Sequence, residues 1–143
     1  MGMIFYKSEY LNLNDVCISF KDRSFNYGDG FFESIKIIDS KPINFPAHYS
    51  RIIESCEILL LNSSYSYKDI IDIIEKLIFE NHIVDGFVKL HFGRNSEGRY
   101  LPESHNVSLM MISSSGERYK INNSISICTY SEELKTKGRL SNI

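Results

Sequence analysis

Two stretches of the chain repeat apolar residues at helical spacing, and short runs rich in β-branched and aromatic residues lie around them. Between about Phe45 and Leu61 the stripe is Tyr49, Ile52, Ile53, Cys56 and Leu60, with Pro46 near the start, where a missing N–H costs nothing. Between Tyr67 and Glu80 it is Ile70, Ile73, Ile74, Leu77 and Ile78; Ser66 and Asp69 form a capping-box pattern before it, and Asn81-His82 reads as a stop. Strands are expected at Ile4–Tyr6, Val16–Phe20, Phe31–Asp39, a short Pro42–Asn44, Phe87–Gly93, Val107–Ser113 and Ser124–Tyr130. Asp39-Ser40-Lys41 reads as a hairpin turn. Val107 to Ile112 is nearly continuous apolar, the pattern of a strand covered on both faces. Six or so strands and two helices predict an α+β layer domain.

Composition narrows the function classes. The chain has 143 residues, one domain's worth, with 43% hydrophobic and 24% charged residues. Its net charge of −2 has no basic stripe, which argues against a nucleic-acid partner but not against a small anionic ligand. The longest purely aliphatic stretch, Ile58 to Leu61, is far too short to span a bilayer, and Met1 to Asp15 has no apolar central run, so no membrane or secretion is expected. Cys17, Cys56 and Cys128 are odd in number and far apart; they read as reduced, mostly buried thiols of a cytoplasmic protein. His48, His82, His91 and His105 show no metal-ligand spacing, and no nucleophile elbow is present.

The stretch with most chemical content runs from Asp22-Arg23 through Tyr27-Gly28-Asp29-Gly30-Phe31-Phe32-Glu33 and is followed by His48-Tyr49-Ser50-Arg51. A Gly-Asp-Gly turn opens onto an extended strand and not onto a helix, so it is no phosphate-cradling glycine loop. Asp29 and Glu33 read as structural hydrogen-bonders. Arg51 lies roughly opposite its helix's apolar stripe, where an arginine is ordinarily solvated. Together these segments resemble the class IV aminotransferases, the fold-type IV pyridoxal-phosphate enzymes, which include D-amino-acid and branched-chain aminotransferases and 4-amino-4-deoxychorismate lyase. The resemblance implies the N-terminal domain of such an enzyme over residues 1–143, a largely antiparallel sheet of about six strands with two helices packed on it. Residues 138–143 would begin an interdomain connection. The Schiff-base lysine is expected immediately after Ile143, in a second domain, so the 143 residues alone are expected to be inactive.

The same resemblance implies site residues. Arg51 would bind the cofactor phosphate, a task that suits a planar guanidinium. Phe32, Ser34 and Lys36 alternate onto one face of their strand, and Phe32 and Lys36 would meet the substrate. Plain core packing for Phe32 and a solvated lysine for Lys36 remain open. In Phe92-Gly93-Arg94-Asn95-Ser96-Glu97-Gly98-Arg99-Tyr100-Leu101-Pro102, Arg94 resembles a strand-end arginine of the family and Arg99 one that meets a substrate carboxylate. Tyr100-Leu101 stands where some D-amino-acid aminotransferases carry a histidine. The implied cofactor is pyridoxal 5'-phosphate, the substrate a small anionic amino acid or keto acid, and the assembly a homodimer. Three functions remain: an aminotransferase acting on a small amino acid, the lyase that forms 4-aminobenzoate, or a non-catalytic domain that keeps the fold.

Overall fold

The computed structural model describes residues 2–117 and 124–129. They form one antiparallel sheet with two long helices on one face. The strands are β1 (Met3–Tyr6), β2 (Glu9–Asn12), β3 (Gly30–Ile38), β4 (Lys41–Pro42), β5 (Gly86–Arg94) and β6 (Val107–Ser115), in the spatial order β2-β1-β6-β5-β3-β4. A short helix, α1 (Arg23–Tyr27), precedes β3, while α2 (Phe45–Ile58) and α3 (Tyr67–Glu80) lie between β4 and β5. The α+β architecture expected from the pattern is the observed one.

The core lies between the sheet and α2 and α3. Phe31, Ile35 and Ile37 of β3, Val88, Leu90 and Phe92 of β5, and Leu109 and Met111 of β6 point toward the helices. Phe31 and Phe92 stack, with ring centroids 4.9 Å apart. All five apolar residues predicted for the second helix are buried, each contributing roughly 1.5–3 kcal/mol. Its capping box is complete: the Asp69 carboxylate accepts from the Ser66 backbone at 2.8 Å, and Asp69 N–H donates to the Ser66 hydroxyl at 3.2 Å.

Several expectations are corrected. Val16–Phe20 is irregular, and its place as a strand is taken by Glu9–Asn12, which forms a hairpin with β1. The turn between them, Lys7-Ser8, has positive φ at both residues, a turn signal without the usual Gly or Asn. Residues 124–129 carry no strand, and Tyr130 lies outside the described residues. So do the expected connection at 138–143 and the position after Ile143. Of the stripe expected on the first long helix, Ile53 and Leu60 are exposed, and Ser55 is buried in their stead with Ile52 and Cys56. The helix ends at Ile58, and Leu60 takes φ 54°, which breaks the predicted periodicity. Cys17 and Cys128 are exposed; only Cys56 is buried, and burial with the Glu57 charge pushes its thiol up to about 11.

β6 is also not covered on both faces. Leu109 and Met111 are fully buried against the helices, whereas Met110 and Ile112, on the opposite face, are half-buried. That second face carries Phe32, Ser34 and Lys36 of β3, as the alternation predicted. At one end it is covered by α1, whose Ser24 packs on Gly93. Among the described residues no long helix crosses it, and none of the helices is long and apolar enough to cross a membrane.

Candidate functional site

Two arginine–carboxylate clusters flank the start of β3. The first is built on Asp29. Asp22 caps α1 by accepting from Phe25 N–H at 3.0 Å, and Gly28 closes it with φ 63°, a left-handed conformation that favours glycine. Gly30 follows, where a Cβ would lie 2.3 Å from the Phe92 carbonyl oxygen, so only glycine lets β3 start against β5. This local chain path fixes Asp29 between two arginines. Arg23 Nε donates to Oδ2 at 2.6 Å, and Arg94 Nε donates to both carboxylate oxygens at 3.1 Å. Further donors reach backbone carbonyls: Arg23 Nη1 that of Gly98 at 2.6 Å, Arg94 Nη1 that of Leu60 at 3.1 Å and Arg94 Nη2 that of Leu59 at 2.7 Å, and Arg94 Nη1 also lies 2.9 Å from His105 Nδ1. Burial pushes the Asp29 carboxyl up, but the bonds and charges of Arg23 and Arg94 outweigh it and hold the group below its ordinary value. Arg94 is therefore committed to the fold and is not available to a substrate.

The second cluster is built on Glu33, which sits in β3 on the helix side. Arg51, midway along α2, donates Nε to Oε1 at 2.9 Å and Nη2 to Oε2 at 3.0 Å, a bidentate pair. His48 brings Nδ1 to 2.6 Å from Oε2 and 2.8 Å from Arg51 Nη2. One Nδ1 cannot donate to the carboxylate and accept from the guanidinium together. The shorter contact, to a charged acceptor, assigns the proton to Nδ1. Burial raises the Glu33 carboxyl, but Arg51 and His48 outweigh it and hold it below the usual range. Arg51 shifts up, chiefly through its bond to Glu33.

Arg51 thus bends back to the sheet edge, and does not simply point away from its helix. Its Nε/Nη2 fork, the geometry best suited to a dianion, is occupied by Glu33. The side chain is still 49% exposed, and among the described residues Nη1 has no partner. Beside the cluster runs a cleft of about 540 Å³, lined by Gly30, Phe32, Glu33, Ser34 and Leu59. It follows the outer edge of β3, which from Gly30 to Ile35 has, among the described residues, a strand on its β5 side only.

The cleft brings together Phe32 and the carboxylate that holds Arg51. Phe32 is 59% exposed, so it is not a core residue. Lys36 shares its face but donates Nζ to the Glu117 carbonyl at 2.8 Å. Arg99 is exposed on the loop after β5 and does not line the cleft; its carbonyl accepts from Arg23 Nη1 at 3.4 Å. Sequence reasoning left the His48 contact and the Arg23–Asp29–Arg94 bridge unseen. No local spacing marks either, because each joins segments distant in the chain.

The antiparallel sheet with two long helices on one face, and a cleft at the edge of β3 beside the Arg51–Glu33 pair, match the N-terminal domain of fold-type IV aminotransferases. The branched-chain aminotransferase of Thermoproteus uzoniensis, solved with norvaline, superposes with a TM-score of 0.73 at 14% identity, over 82% of this chain and 41% of that one. The branched-chain aminotransferase of Escherichia coli gives 0.74 at 16% identity, over 80% and 41%. A putative 4-amino-4-deoxychorismate lyase from Legionella pneumophila gives 0.66 at 25% identity, over 74% and 40%. The family model for amino-transferase class IV matches residues 30–142, and the chain belongs to that family. D-alanine aminotransferase of Staphylococcus epidermidis is 29% identical over 99 residues, 69% of this chain and 35% of that enzyme. The chain thus spans about a third of the length of the curated relatives it matches.

Proposed function

We propose that these residues form the N-terminal domain of a pyridoxal-phosphate aminotransferase acting on a small amino acid, and that Arg51 holds the phosphate end of the cofactor. The observation that supports this reading most is the half-used guanidinium of Arg51. Glu33 and His48 fix its orientation, while Nη1 and about half of the side chain remain open to an anion. A cation already oriented by a carboxylate loses little freedom when a phosphate arrives. The donor set fits the group. When bound, pyridoxal phosphate supplies the electron-accepting ring through which an amino group is moved.

The chain's own residues contribute binding and orientation. Phe32 lines the cleft with an exposed ring and no hydroxyl, so it packs against a bound molecule and excludes water without moving a proton. Arg99 meets a substrate carboxylate from its loop, which the Arg23 contacts to the Gly98 and Arg99 carbonyls hold in place. Lys36 stands on the substrate side of the sheet. The homodimer and the cytoplasmic setting implied by the resemblance belong to the same reading.

The lyase reaction is the second reading, favoured by the Legionella neighbour, which at 25% identity is more similar in sequence than the two branched-chain structures. The full-length protein, loaded with cofactor, separates the two. Conversion of the bound cofactor to its amine form by D- or L-amino acids, followed by absorbance, is the expected result. Pyruvate release from 4-amino-4-deoxychorismate without that conversion would overturn it in favour of the lyase.

A further inference from the structure

Arg51 and Glu33 balance each other's charge, and the third member of their cluster is the side chain whose charge can change. His48 stands in the first turn of α2, and its Nδ1 reaches both partners, 2.6 Å from Glu33 Oε2 and 2.8 Å from Arg51 Nη2. Its Nε2 makes no hydrogen bond among the described residues, and the ring is partly open to solvent. The charged groups in contact with it are Glu33 from β3 and Arg51 from its own helix. α3 meets α2 here through the ring of Tyr67, which packs on Phe45 and Tyr49, and Lys41 of β4 is exposed. With Nδ1–H on Glu33, a second proton at Nε2 would set two cations 2.8 Å apart while Arg51 has no other anion to serve.

A phosphate dianion held by Arg51 reverses this balance. One guanidinium would then face Glu33 and the dianion together, with two negative charges in excess beside a sheltered carboxylate. Histidine is the side chain that answers such a change near neutral pH. An imidazolium keeps Nδ1–H on Glu33 and gains its second proton from solvent at Nε2. The Glu33–His48 bond becomes one between opposite charges, and the charge of Arg51 is left to the phosphate. We infer that His48 takes up a proton when the phosphate binds, and so acts as the positioning residue that keeps Glu33 paired while Arg51 serves the anion. The inference rests on the reading of Arg51 as the phosphate anchor. Binding that takes up a proton weakens as pH rises, so the contribution of His48 is greatest near neutral pH and is lost in alkali.

The test is calorimetric titration of the full-length protein with pyridoxine 5'-phosphate, which carries the phosphate but no aldehyde, in buffers of different ionisation enthalpy. The slope of heat against buffer enthalpy counts the protons taken up. At about pH 7.5, where the phosphate is a dianion, the parent is expected to take up about half a proton or more. His48→Asn keeps a donor for Glu33 but does not titrate, and should take up close to none. Affinity carries the same contrast: the parent should bind about fivefold more tightly than His48→Asn at about pH 7, and within about twofold of it at about pH 9.5. An equal proton count in the two proteins overturns the inference. So does a deficit of the same size at both pH values, which is what a purely structural role would give. Arg51→Ala tests the reading beneath it. If that variant binds as the parent does while the proton count still depends on His48, the Arg51 anchor fails and the His48 assignment stands. If Arg51→Ala weakens binding but the parent and His48→Asn take up the same number of protons, the His48 assignment fails alone.

Discussion

The Asp29 and Glu33 clusters lie four residues apart on one stretch of chain and use the same chemistry to opposite ends. At Asp29 both arginine side chains are under a tenth exposed, and their donors reach the carboxylate or backbone carbonyls that tie α1, the loop after β5 and the end of α2 to one point. At Glu33 the carboxylate is equally sheltered, but Arg51 is half exposed and retains donors. A buried arginine held between a carboxylate and backbone carbonyls is a structural bolt. One held by a carboxylate and left partly open is a receptor for an anion. Charge and residue type do not separate the two; what the remaining donors face does.

The largest expected effect that tests this contrast is Asp29→Asn. It leaves two buried guanidinium groups without their counter-charge and should cost about 3 kcal/mol of stability, seen as a lower unfolding midpoint of the full-length protein. Glu33→Gln should cost only about 1 kcal/mol, because Arg51 can turn to solvent. Equal losses would erase the distinction. Acidification gives a smaller and graded effect. Both carboxyls have folded-state pKa values below their ordinary ones, so the unfolded chain takes up protons first as pH falls. Their contribution is present in full above the ordinary carboxylate range and is lost as pH drops through the folded values. Acid titration of unfolding should show this loss, with a shallower slope in Asp29→Asn; an unaltered slope would contradict the assignment.

Much of the fold was legible because it rests on local periodicity. The apolar stripe and capping box of Tyr67–Glu80 placed α3 at its observed bounds, and the alternation of β3 put Phe32, Ser34 and Lys36 on one face. The errors have local causes too. Glu9–Asn12 is a short edge strand whose hairpin turn uses Lys7-Ser8 at positive φ, without glycine, while Val16–Phe20 has strand-like residues but, among the described residues, no partner strand. α1 is only five residues long, although Asp22 and Gly28 are readable in retrospect as its two caps. Arg51 could be singled out by its family match, but its partner could not, because Glu33 reaches it from another element. Arg94 resembled a strand-end arginine and Arg99 one that meets a substrate carboxylate, but no local pattern showed that Arg94 is spent on the fold. Burial shows it: Arg94 faces inward from the last position of β5, and Arg99 is exposed.

The central claim is that the open part of Arg51 is an anion anchor, and absorbance titration of pyridoxal phosphate into the full-length protein and its Arg51→Ala variant tests it most directly. The account predicts a cofactor Kd raised by about 30-fold or more, a loss of roughly 2 kcal/mol or more. The unfolding midpoint of the cofactor-free protein should move by the equivalent of less than about 1 kcal/mol. An unchanged Kd would contradict the account, as would a loss of affinity matched by a comparable loss of stability.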